Sequence, residues 1–345
     1  MNATPSGGTL NVTGCGPYTQ IVTITHPMTL IGASITNATA TLQSGDLEIS
    51  GTSNVTVQYA TVTNSTGACI SADDSTNVTI QNSLMQNCVE EGYHFANVNG
   101  LVFTGNRTTG NNAAGTVDTG FEAGGGKASN CTNMVFSYNE ADHNVGPGLW
   151  FDVYDNGAQV FGNRVHDNTD EGILYEISYN AHIYQNAVWE NGWSNTTWVW
   201  GAGILSSTSQ SVEIDHNTVA WNGDGVAAVW QNRGGPAATG ISIHDNTVVQ
   251  EQVTTNSGWG SAPIGFAQDD GGVIYTSGNT GAANGFWLNW AEPSWYRFQA
   301  WNGTQVQTLA QLNASPEGSG SSYYITAAQR DADLTAAGIP LTPAQ

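Results

Sequence analysis

Two acidic side chains at matching positions of neighbouring repeats are the residues best placed to do chemistry in this sequence. Asp152 and Glu176 each stand four residues after a glycine, in Gly148-Leu-Trp-Phe-Asp and Gly172-Ile-Leu-Tyr-Glu. If these runs are stacked strands, their Cα atoms lie roughly 5 Å apart, which is the strand spacing. Carboxylates this close ionise unequally, as general acid–base catalysis and retaining glycoside hydrolysis require. A solvated strip without chemical function is the alternative interpretation.

Further polar residues are expected on the same outward strip. The alternation of apolar residues places Trp150 beside Asp152 on the outer face. Counting back one repeat aligns Glu122 with Trp150, and His94 with Glu122. We therefore predict Glu122, Asp152 and Glu176 as acid, base or nucleophile.

Basic residues near this strip are candidate assistants in catalysis. Lys127 is the sole lysine and ends the glycine-rich run that begins at Glu122. It is interpreted as a lyase base or a substrate contact, with a simple loop-surface charge as the alternative. His143 and His166 are the other two candidates. Arg164, two residues before His166, is a candidate substrate contact on the same face.

An oxygen-rich metal site is a further possibility. Asp142, Asp152, Asp155 and Glu176 offer carboxylate oxygens of the kind that Ca²⁺ prefers. Asp142 and Asp155 are the residues assigned to the metal alone. No recognised zinc spacing is present around the histidines.

Large aromatic residues are too frequent on predicted outer faces and loops to be ignored. Flat aromatic rings stack on sugar rings, so they predict a carbohydrate-binding surface, with ordinary packing as the alternative. With His94 and Arg164, the candidates for binding substrate are Trp150, Tyr154, Trp189, Trp198 and Trp200.

A repeated pair of asparagines supplies the elements that must position these residues. In each copy the second Asn follows the first by five residues, and an apolar residue precedes the pair. Such self-similarity at a period of about 20–50 residues is typical of repeat architectures. The pairs are Asn82/Asn87, Asn106/Asn111, Asn139/Asn144, Asn163/Asn168, Asn186/Asn191 and Asn217/Asn222.

Each repeat reads as strands of one coil in an all-β parallel solenoid. A β-rich run precedes the Asn pair, and a glycine with a second alternating run follows, as in Gly120-Phe-Glu-Ala. The unit is too short for a strand–helix–strand crossover. Stacked coils would let equivalent Asn side chains bond to one another as a ladder, and Asn tolerates the left-handed backbone of a tight bend. Leucine-rich repeats lack their leucine framework here, and a propeller needs longer units.

The chain is expected to form one domain of 345 residues with terminal caps. We predict an N-terminal entry over 1–50, regular coils over 51–250, and irregular coils with a cap over 251–345. Insertions interrupt the coils at 113–130, 193–201 and 231–239. In the last region we expect a loop over 258–270, a strand over 273–279, and helices over 304–312 and 327–337.

Composition narrows the possible partners. The formal net charge is −22, from 28 acidic and 6 basic residues, which argues against nucleic acid and anionic membranes as partners. No stretch is apolar enough to span a membrane. We expect a secreted, extracellular monomer. The four cysteines permit up to two disulfides.

At this point the sequence resembles a known family. The runs from Glu122 to Lys127, Asp142 to Asn156 and Asn168 to Ala181 are similar to bacterial right-handed parallel β-helix repeat proteins of the pectin-lyase-like superfamily. This resemblance implies that fold. The superfamily implies pectate and alginate lyases, polygalacturonase-type hydrolases, epimerases, tailspikes and adhesins as function classes. The polygalacturonase motifs are not matched, because Gln268-Asp-Asp270 lacks its companions.

Two functions follow as hypotheses. The first is an extracellular carbohydrate-active enzyme that cleaves glycosidic bonds of a polysaccharide, as a glycoside hydrolase or a polysaccharide lyase. The second is a non-catalytic secreted or surface β-helix that binds glycans or has an adhesive or structural role.

Overall fold

The computed structural model describes residues 4–193, 199–251, 264–268, 278–293, 298–299, 305–316, 318 and 322–344. The chain divides into two compact units, Met1–Gln159 and Val160–Gln345, and each is described by itself. The expectation of a single domain stays a prediction.

The first unit consists of short strands that form three parallel sheets. Sheet 1 contains β1 (Gly8–Asn11), β3 (Met28–Ile31), β6 (Ser53–Gln58), β9 (Thr76–Gln81), β12 (Asn99–Thr104) and β15 (Thr132–Ser137). Sheet 2 contains β4 (Ser34–Thr36), β7 (Thr61–Thr63), β10 (Leu84–Gln86), β13 (Arg107–Thr109) and β16 (Glu140–Asp142). Sheet 3 contains β2 (Val22–Ile24), β5 (Gly45–Ser50), β8 (Ala68–Asp73), β11 (Tyr93–Ala96), β14 (Lys127–Ser129) and β17 (Leu149–Asp152).

The second unit repeats this plan, and strand β18 (Asn156–Phe161) contains the boundary between the units. Sheet 1 here contains β21 (Tyr179–Tyr184), β24 (Gln210–Asp215), β27 (Ser242–His244) and β30 (Thr280–Ala282). Sheet 2 contains β19 (Arg164–His166), β22 (Ala187–Trp189), β25 (Thr218–Ala220), β28 (Thr247–Gln250), β31 (Gly285–Leu288) and β34 (Tyr323–Tyr324). Sheet 3 contains β20 (Ile173–Glu176), β23 (Ala202–Ser207), β26 (Asp224–Trp230), β29 (Ile264–Gln268), β32 (Phe298–Gln299) and β33 (Gln305–Val306).

Each regular coil contributes one strand to each sheet, so the predicted parallel β-helix is confirmed. Strands at equivalent positions of successive coils pair in parallel, as β9 does with β12. The sequence predicted two runs per coil. The structure adds a three-residue strand between the two asparagines, as in β13 between Asn106 and Asn111. This strand is too short for its alternation to be visible in the sequence.

The expected asparagine ladder is present inside the coils. Asn106 Nδ2 donates to Asn139 Oδ1 at 3.2 Å, and Asn111 Nδ2 donates to Asn144 Oδ1 at 2.9 Å. In the second unit the same bonds join Asn186 to Asn217 at 2.9 Å. The ladder satisfies buried polar groups at the bends, which would otherwise cost about 1–3 kcal/mol each.

The first predicted pair is displaced from the ladder by one residue. Ser83 and Cys88, and not Asn82 and Asn87, occupy the ladder positions, because their backbone N–H groups donate to the amides of the next coil. Asn82 has a φ of 51° and stands one residue earlier. Left-handed backbone therefore occurs at the residue before each ladder position, and not at the ladder asparagine itself.

Aromatic side chains fill the core of the first unit where the coils carry its candidate site. Tyr93 stacks on Phe95 with ring centroids 4.8 Å apart, and Phe136 contacts Phe151 edge-on at 4.7 Å. Each ring is fully buried, and burial of such a side chain contributes about 1.5–3 kcal/mol. Because these alternate residues point inward, their strand neighbours point away from the core.

Several local predictions change in the structure. The run Gly120-Phe-Glu-Ala is a turn and not a strand, and the strand of that coil begins at Lys127. Strand β29 lies within the segment predicted as a loop over 258–270. The strand expected over 273–279 falls almost wholly outside the described residues.

Two helices are present among the described C-terminal residues. Helix α1 spans Leu309–Ala314, and helix α2 spans Ala327–Ala337. The bounds of α2 are those predicted from the sequence. The helix expected over 304–312 is therefore shifted toward the C-terminus, because Thr308 with Gln311 forms its N-terminal capping box. Neither helix is long and apolar enough to cross a membrane.

The cysteines form one disulfide and not two. Cys69 and Cys88 are joined, while Cys15 is exposed and Cys131 is buried, each as a free thiol. The two free thiols cannot bridge because one lies at the surface of the entry segment and the other inside the coils.

Candidate functional site

An outward row of side chains crosses sheet 3 of the first unit. The strand register pairs His94 with Lys127, and Lys127 with Trp150. Glu48 and Ser71 continue the row through the preceding coils. The row therefore combines an imidazole, an ammonium group and an indole ring on adjacent strands.

The predicted alignment of Glu122 with Trp150 is wrong, because Lys127 takes that place in the register. Glu122 belongs to the turn that precedes β14. Gly126 ends this insertion with a φ of 148°, and a Cβ there would lie 2.3 Å from the Tyr93 ring. A glycine is therefore required for the chain to enter β14 and bring Lys127 into the row.

Lys127 is the centre of a nearly buried ion cluster. Its Nζ atom lies 2.9 Å from Asp152 Oδ2 and 3.6 Å from Glu122 Oε1. It also donates to the carbonyl of Phe121 at 2.7 Å and sits 4.1 Å from the centroid of the Trp150 ring. Burial opposes the ionised form, but the charges of Asp152 and Glu122 outweigh it and raise the pKa of Lys127. The surroundings of Lys127 therefore favour its cationic form.

Glu122 connects the ammonium group to the imidazole. Its Oε1 atom accepts from Gln43 Nε2 at 3.2 Å, and its Oε2 atom lies 3.7 Å from His94 Nδ1. The side chain is only 8% exposed, and Oε2 accepts no hydrogen bond. The insertion thus places the Glu122 carboxylate next to His94 of strand β11 and Lys127 of strand β14, although Glu122 itself is not a strand residue.

Two further acidic residues, Glu90 and Glu91, were not predicted from the sequence. Glu91 is fully buried, and its Oε1 atom lies 2.9 Å from His94 Nδ1. Burial, together with the nearby charges of Glu122 and Glu90, raises the pKa of Glu91 well above its usual value. Glu90 accepts two hydrogen bonds from the backbone nitrogen of Gln43.

A signal for these residues exists in the sequence. An acidic residue stands directly before the glycine in Glu91-Gly92, Glu171-Gly172 and Asp224-Gly225. All three acids are buried in the structure. The alternation that defines each strand begins at the glycine, so it predicts nothing for the residue before it.

Asp152 ends strand β17 in an unusual stretch of backbone. Its Oδ1 atom accepts from the backbone nitrogen of Val153 at 2.7 Å, while Oδ2 faces Lys127. Val153 and Tyr154 follow with φ values of 49° and 71°. The tight turn leaves 48% of Tyr154 exposed, two residues after Asp152.

The aromatic residues of this unit differ in their accessibility. Trp150 is only 2% exposed, because Lys127 covers its ring. Phe121 was not predicted, yet 61% of it is exposed, and the Lys127 nitrogen lies 5.5 Å from the centroid of its ring. Phe121 is therefore an exposed ring that contacts Lys127, Trp150 is a buried one, and Tyr154 is an exposed ring two residues after Asp152.

Glu176 belongs to the second unit and has its own surroundings there. The side chain is buried and forms an ion pair with Arg233. The same guanidinium donates to Ser207 Oγ at 2.8 Å. Arg233 comes from the insertion predicted over 231–239, so this insertion closes over Glu176 as the earlier one closes over Asp152.

Trp189 and its neighbours are covered by the C-terminal segment. Trp189 is 4% exposed, and its ring stacks on His166 with centroids 4.0 Å apart, while the Arg164 guanidinium carbon lies 4.8 Å from its centroid. Arg164 donates to the carbonyls of Ala337 and Gly338, both at 3.1 Å. These contacts make Arg164 and Trp189 part of the seat of helix α2. Because the C-terminal segment covers both side chains, this packing does not favour their predicted role in binding substrate.

Trp198 and Trp200 are the remaining aromatic candidates. Trp200 is half-buried at the end of the insertion predicted over 193–201. Trp198 lies outside the described residues.

The predicted metal residues do not come together. Asp142 lies on sheet 2, where both its oxygens accept from Arg107, at 2.8 and 2.9 Å. Burial opposes ionisation of Asp142, but hydrogen bonds from Arg107, His143 and Thr109 outweigh it and hold the pKa of Asp142 below its usual value. His143 itself is largely exposed.

Asp155 is fully buried and accepts from the backbone nitrogen of Cys131 at 2.6 Å. Burial raises the pKa of Asp155 well above its usual value. Among the described residues, no group with metal-ligand spacing contains both Asp142 and Asp155. The Ca²⁺ site predicted from these residues is therefore not assembled in the first unit, because Asp142 ends strand β16 of sheet 2 whereas Asp155 follows strand β17 of sheet 3.

Comparison with known proteins gives the fold a wider context. The model of the family described as "Right handed beta helix region" matches residues 45–219. No curated protein matches the chain at a significant level.

Among solved structures, the Dettilon tailspike protein is 12% identical with a TM-score of 0.58, over 93% of this chain and 61% of that one. The chain thus spans less than two thirds of the tailspike's length. The Streptococcus pneumoniae surface adhesin PfbA is 9% identical with a TM-score of 0.46, over 81% of this chain and 76% of that one. The A-module of the Azotobacter vinelandii mannuronan C-5 epimerase AlgE6 is 13% identical with a TM-score of 0.47, over 94% of this chain and 92% of that one. At such identities the likeness concerns the fold alone.

Proposed function

This chain belongs to the right-handed β-helix family, and from that premise we propose that it is an extracellular carbohydrate-active enzyme that cleaves glycosidic bonds in a polysaccharide. The observation that carries the proposal is the ion cluster on sheet 3 of the first unit. There, one ammonium group, that of Lys127, is held 2.9 Å from Asp152 and 3.6 Å from Glu122.

Asp152 is the carboxylate that acts on the sugar, as base or nucleophile. Its two oxygens are fixed by Lys127 and by the backbone of Val153, which sets the direction in which the remaining lone pairs point. In a site that excludes water, a carboxylate held in a fixed orientation stabilises positive charge in the transition state more strongly than a carboxylate in bulk solvent does. Preorganisation of this kind is what cleavage of a glycosidic bond requires from an acidic residue.

Lys127 supplies positive charge and not a base, which revises its predicted role. A protonated lysine beside the reacting carboxylate can neutralise an acidic group on the substrate or hold a sugar hydroxyl. Phe121 and Tyr154, with 61% and 48% exposure, offer rings on which sugar faces can stack. Cleavage by hydrolysis and cleavage by elimination both remain compatible with these roles.

A polysaccharide screen with matched variants tests the proposal. Wild-type protein is expected to release reducing ends from one member of a neutral and acidic polysaccharide panel, and Asp152→Asn to release at least 100-fold fewer. Glu176→Gln, in the second unit, is included because Glu176 was predicted to share this role. Glu48→Gln changes a carboxylate of the same outward row outside the cluster, and its activity should stay within twofold of wild type.

The products decide between the two reactions, since elimination leaves an unsaturated uronate that absorbs ultraviolet light and hydrolysis does not. If no polysaccharide is cleaved, or if Asp152→Asn cleaves as well as wild type, the proposed function is wrong. Retained glycan binding in that case would favour the non-catalytic alternative, a surface or adhesive β-helix.

A further inference from the structure

A second group of side chains lies beside the Lys127–Asp152 pair and has the composition of a metal site. Glu91, His94 and Glu122 each offer one ligand atom, and these atoms all lie within 4.8 Å of one another. His94 Nδ1 stands between the two carboxylates, 2.9 Å from Glu91 Oε1 and 3.7 Å from Glu122 Oε2. All three side chains are more than nine-tenths buried.

Two buried oxygens in this group accept no hydrogen bond. They are Oε2 of Glu91 and Oε2 of Glu122. A buried carboxylate oxygen without a donor loses its hydration without replacement, which costs about 1–3 kcal/mol or more when it is charged. Glu122 Oε2 is directed toward His94, so the unsatisfied oxygen faces the group and not the bulk of the protein. A proton or a cation at this point would remove the cost.

A cation at this point would also offset the local negative charge. Glu91, Glu122 and Asp152 lie close together, and Lys127 is the one lysine or arginine that pairs with any of them among the described residues. Lys127 contacts Glu122 through Oε1, which leaves Oε2 for a different partner. Glu122 is thus able to face Lys127 with one oxygen and a metal ion with the other.

We propose that Glu91, His94 and Glu122 bind a divalent transition-metal cation of the Zn²⁺ type. A mixed set of one imidazole and two carboxylates suits zinc and its neighbours, whereas Ca²⁺ and Mg²⁺ prefer oxygen alone. In a tetrahedral zinc site, bonds of about 2.0–2.1 Å hold the ligand atoms about 3.4 Å apart. The 2.9 and 3.7 Å separations around His94 Nδ1 lie on either side of that value.

This site goes beyond the proposed function and does not depend on it. The ion would fix the insertion that carries Glu122 to strand β11, which carries His94, whether or not the protein cleaves a glycan. It also differs from the predicted Ca²⁺ site in its residues and in its cation.

Metal stoichiometry of the purified full chain is the test. The protein is stripped with a chelator, equilibrated with Zn²⁺, passed through a desalting column and analysed by elemental mass spectrometry, with affinity from calorimetry. We expect one tightly held Zn²⁺ per chain, and no displacement by a 100-fold excess of Ca²⁺ or Mg²⁺. His94→Gln and Glu122→Gln should each weaken Zn²⁺ binding at least tenfold. Glu122→Gln lies in a turn, so it keeps the test valid if His94→Gln does not fold.

His182→Gln is the matched control, because His182, Glu213 and Asp215 form a comparable but more exposed group in the second unit. It should leave the tightly held ion in place, as should Asp152→Asn, so that loss of cleavage and loss of metal are separate results. The proposal is overturned if wild type retains no Zn²⁺, if His94→Gln and Glu122→Gln retain it fully, or if His182→Gln alone loses it.

Discussion

The ammonium nitrogen of Lys127 lies 2.9 Å from Oδ2 of Asp152, across the neighbouring strands β14 and β17. Both side chains are at least nine-tenths buried. The insertion before β14 covers the pair, so its charges are shielded from water by the segment that also supplies Glu122. Because such a pair is stable only while both charges are present, it links the site to the stability of the fold.

Replacement of Lys127 by methionine should therefore destabilise the protein strongly. Lys127→Met leaves Asp152 and Glu122 as buried negative charges with no cation between them, and we expect a loss of about 3–5 kcal/mol in the free energy of unfolding. Urea unfolding followed by circular dichroism measures it. The double variant Lys127→Met/Asp152→Asn should recover a large part of the loss, because it removes one of the unpaired charges.

Arg330→Gln serves as the control for this measurement. Arg330 lies over the Trp287 ring and pairs with Asp331, whose side chain is 44% exposed, and a pair open to water on one side contributes about 0–1 kcal/mol. Equal losses for Lys127→Met and Arg330→Gln, or no recovery in the double variant, would contradict the role given to the buried pair.

The asparagine ladder should be intolerant of substitution even far from the candidate site. In the second unit, Asn186 Oδ1 accepts from the backbone and side-chain nitrogens of Asn163, at 3.0 and 2.9 Å. Its Nδ2 donates to Val160 O and to Asn217 Oδ1. Asn186→Ala leaves these buried groups unpaired, so we expect a loss of at least about 3 kcal/mol, at 1–3 kcal/mol per group.

Thermal and urea unfolding of Asn186→Ala against Gln210→Ala provide the measurement. Gln210 is exposed at the start of β24 in the same unit, and its truncation should change stability by less than about 0.5 kcal/mol. A loss for Asn186→Ala as small as that for Gln210→Ala would mean that water or relaxation replaces the ladder bonds.

Regular spacing explains why the fold could be read from the sequence while part of the site could not. The ladder asparagines and the inward aromatic residues, such as Phe136 and Phe151, recur at nearly constant intervals, so the coil was predictable. The insertion offered two possible registers. Gly120-Phe-Glu-Ala has better strand-forming residues than Lys127-Ala-Ser, but the pairing of Lys127 with Trp150 is the one that the structure contains.

Contacts between distant parts of the chain were beyond any local pattern. Helix α2 begins more than a hundred residues after Trp189 in the sequence, yet it packs against that side chain. Glu91 was missed for a different reason. A charged residue before a glycine is typical of a solvent-exposed turn, and only the three-dimensional structure reveals that Glu91 is fully buried beside His94.

The stability of the protein should decrease as the pH rises from acidic to mildly alkaline. In the second unit, burial, with a smaller contribution from the charge of Asp170, raises the pKa of Glu171 from 4.5 to about 8. The folded state therefore holds this proton more tightly than the unfolded state. Its contribution is complete below pH 4.5 and is lost as the pH rises through about 8.

Replacement of Glu171 by glutamine should remove that dependence. In the wild type, the backbone nitrogen of Gly201 donates to Glu171 Oε1 at 3.1 Å. The glutamine amide keeps an oxygen that can accept this bond, but it has no carboxyl proton to lose. Urea unfolding at pH 5 and pH 8, which span most of the interval between the unfolded pKa of 4.5 and the folded pKa of about 8, should show a smaller decline for Glu171→Gln than for wild type. Asp118→Asn, at an exposed residue of the first unit, should decline as wild type does, and an equally steep decline for Glu171→Gln would exclude Glu171 as the cause.

Helix α2 should detach locally when its buried leucine is truncated. Leu334 is fully buried in a cluster with Trp189, Trp221 and Ile339, and the indole nitrogen of Trp221 donates to the carbonyl of Pro340 at 3.0 Å. Leu334→Ala removes the central contact, at a cost of about 2–5 kcal/mol. Because the helix lies near the end of the chain, this cost falls on local opening of α2 before it reaches the coils.

Hydrogen exchange should therefore accelerate at least tenfold in α2 and remain unchanged in β23 and β26. The exposed Gln329→Ala in the same helix should leave exchange unaltered, and uniform acceleration throughout the second unit in Leu334→Ala would instead indicate that helix and coils unfold together.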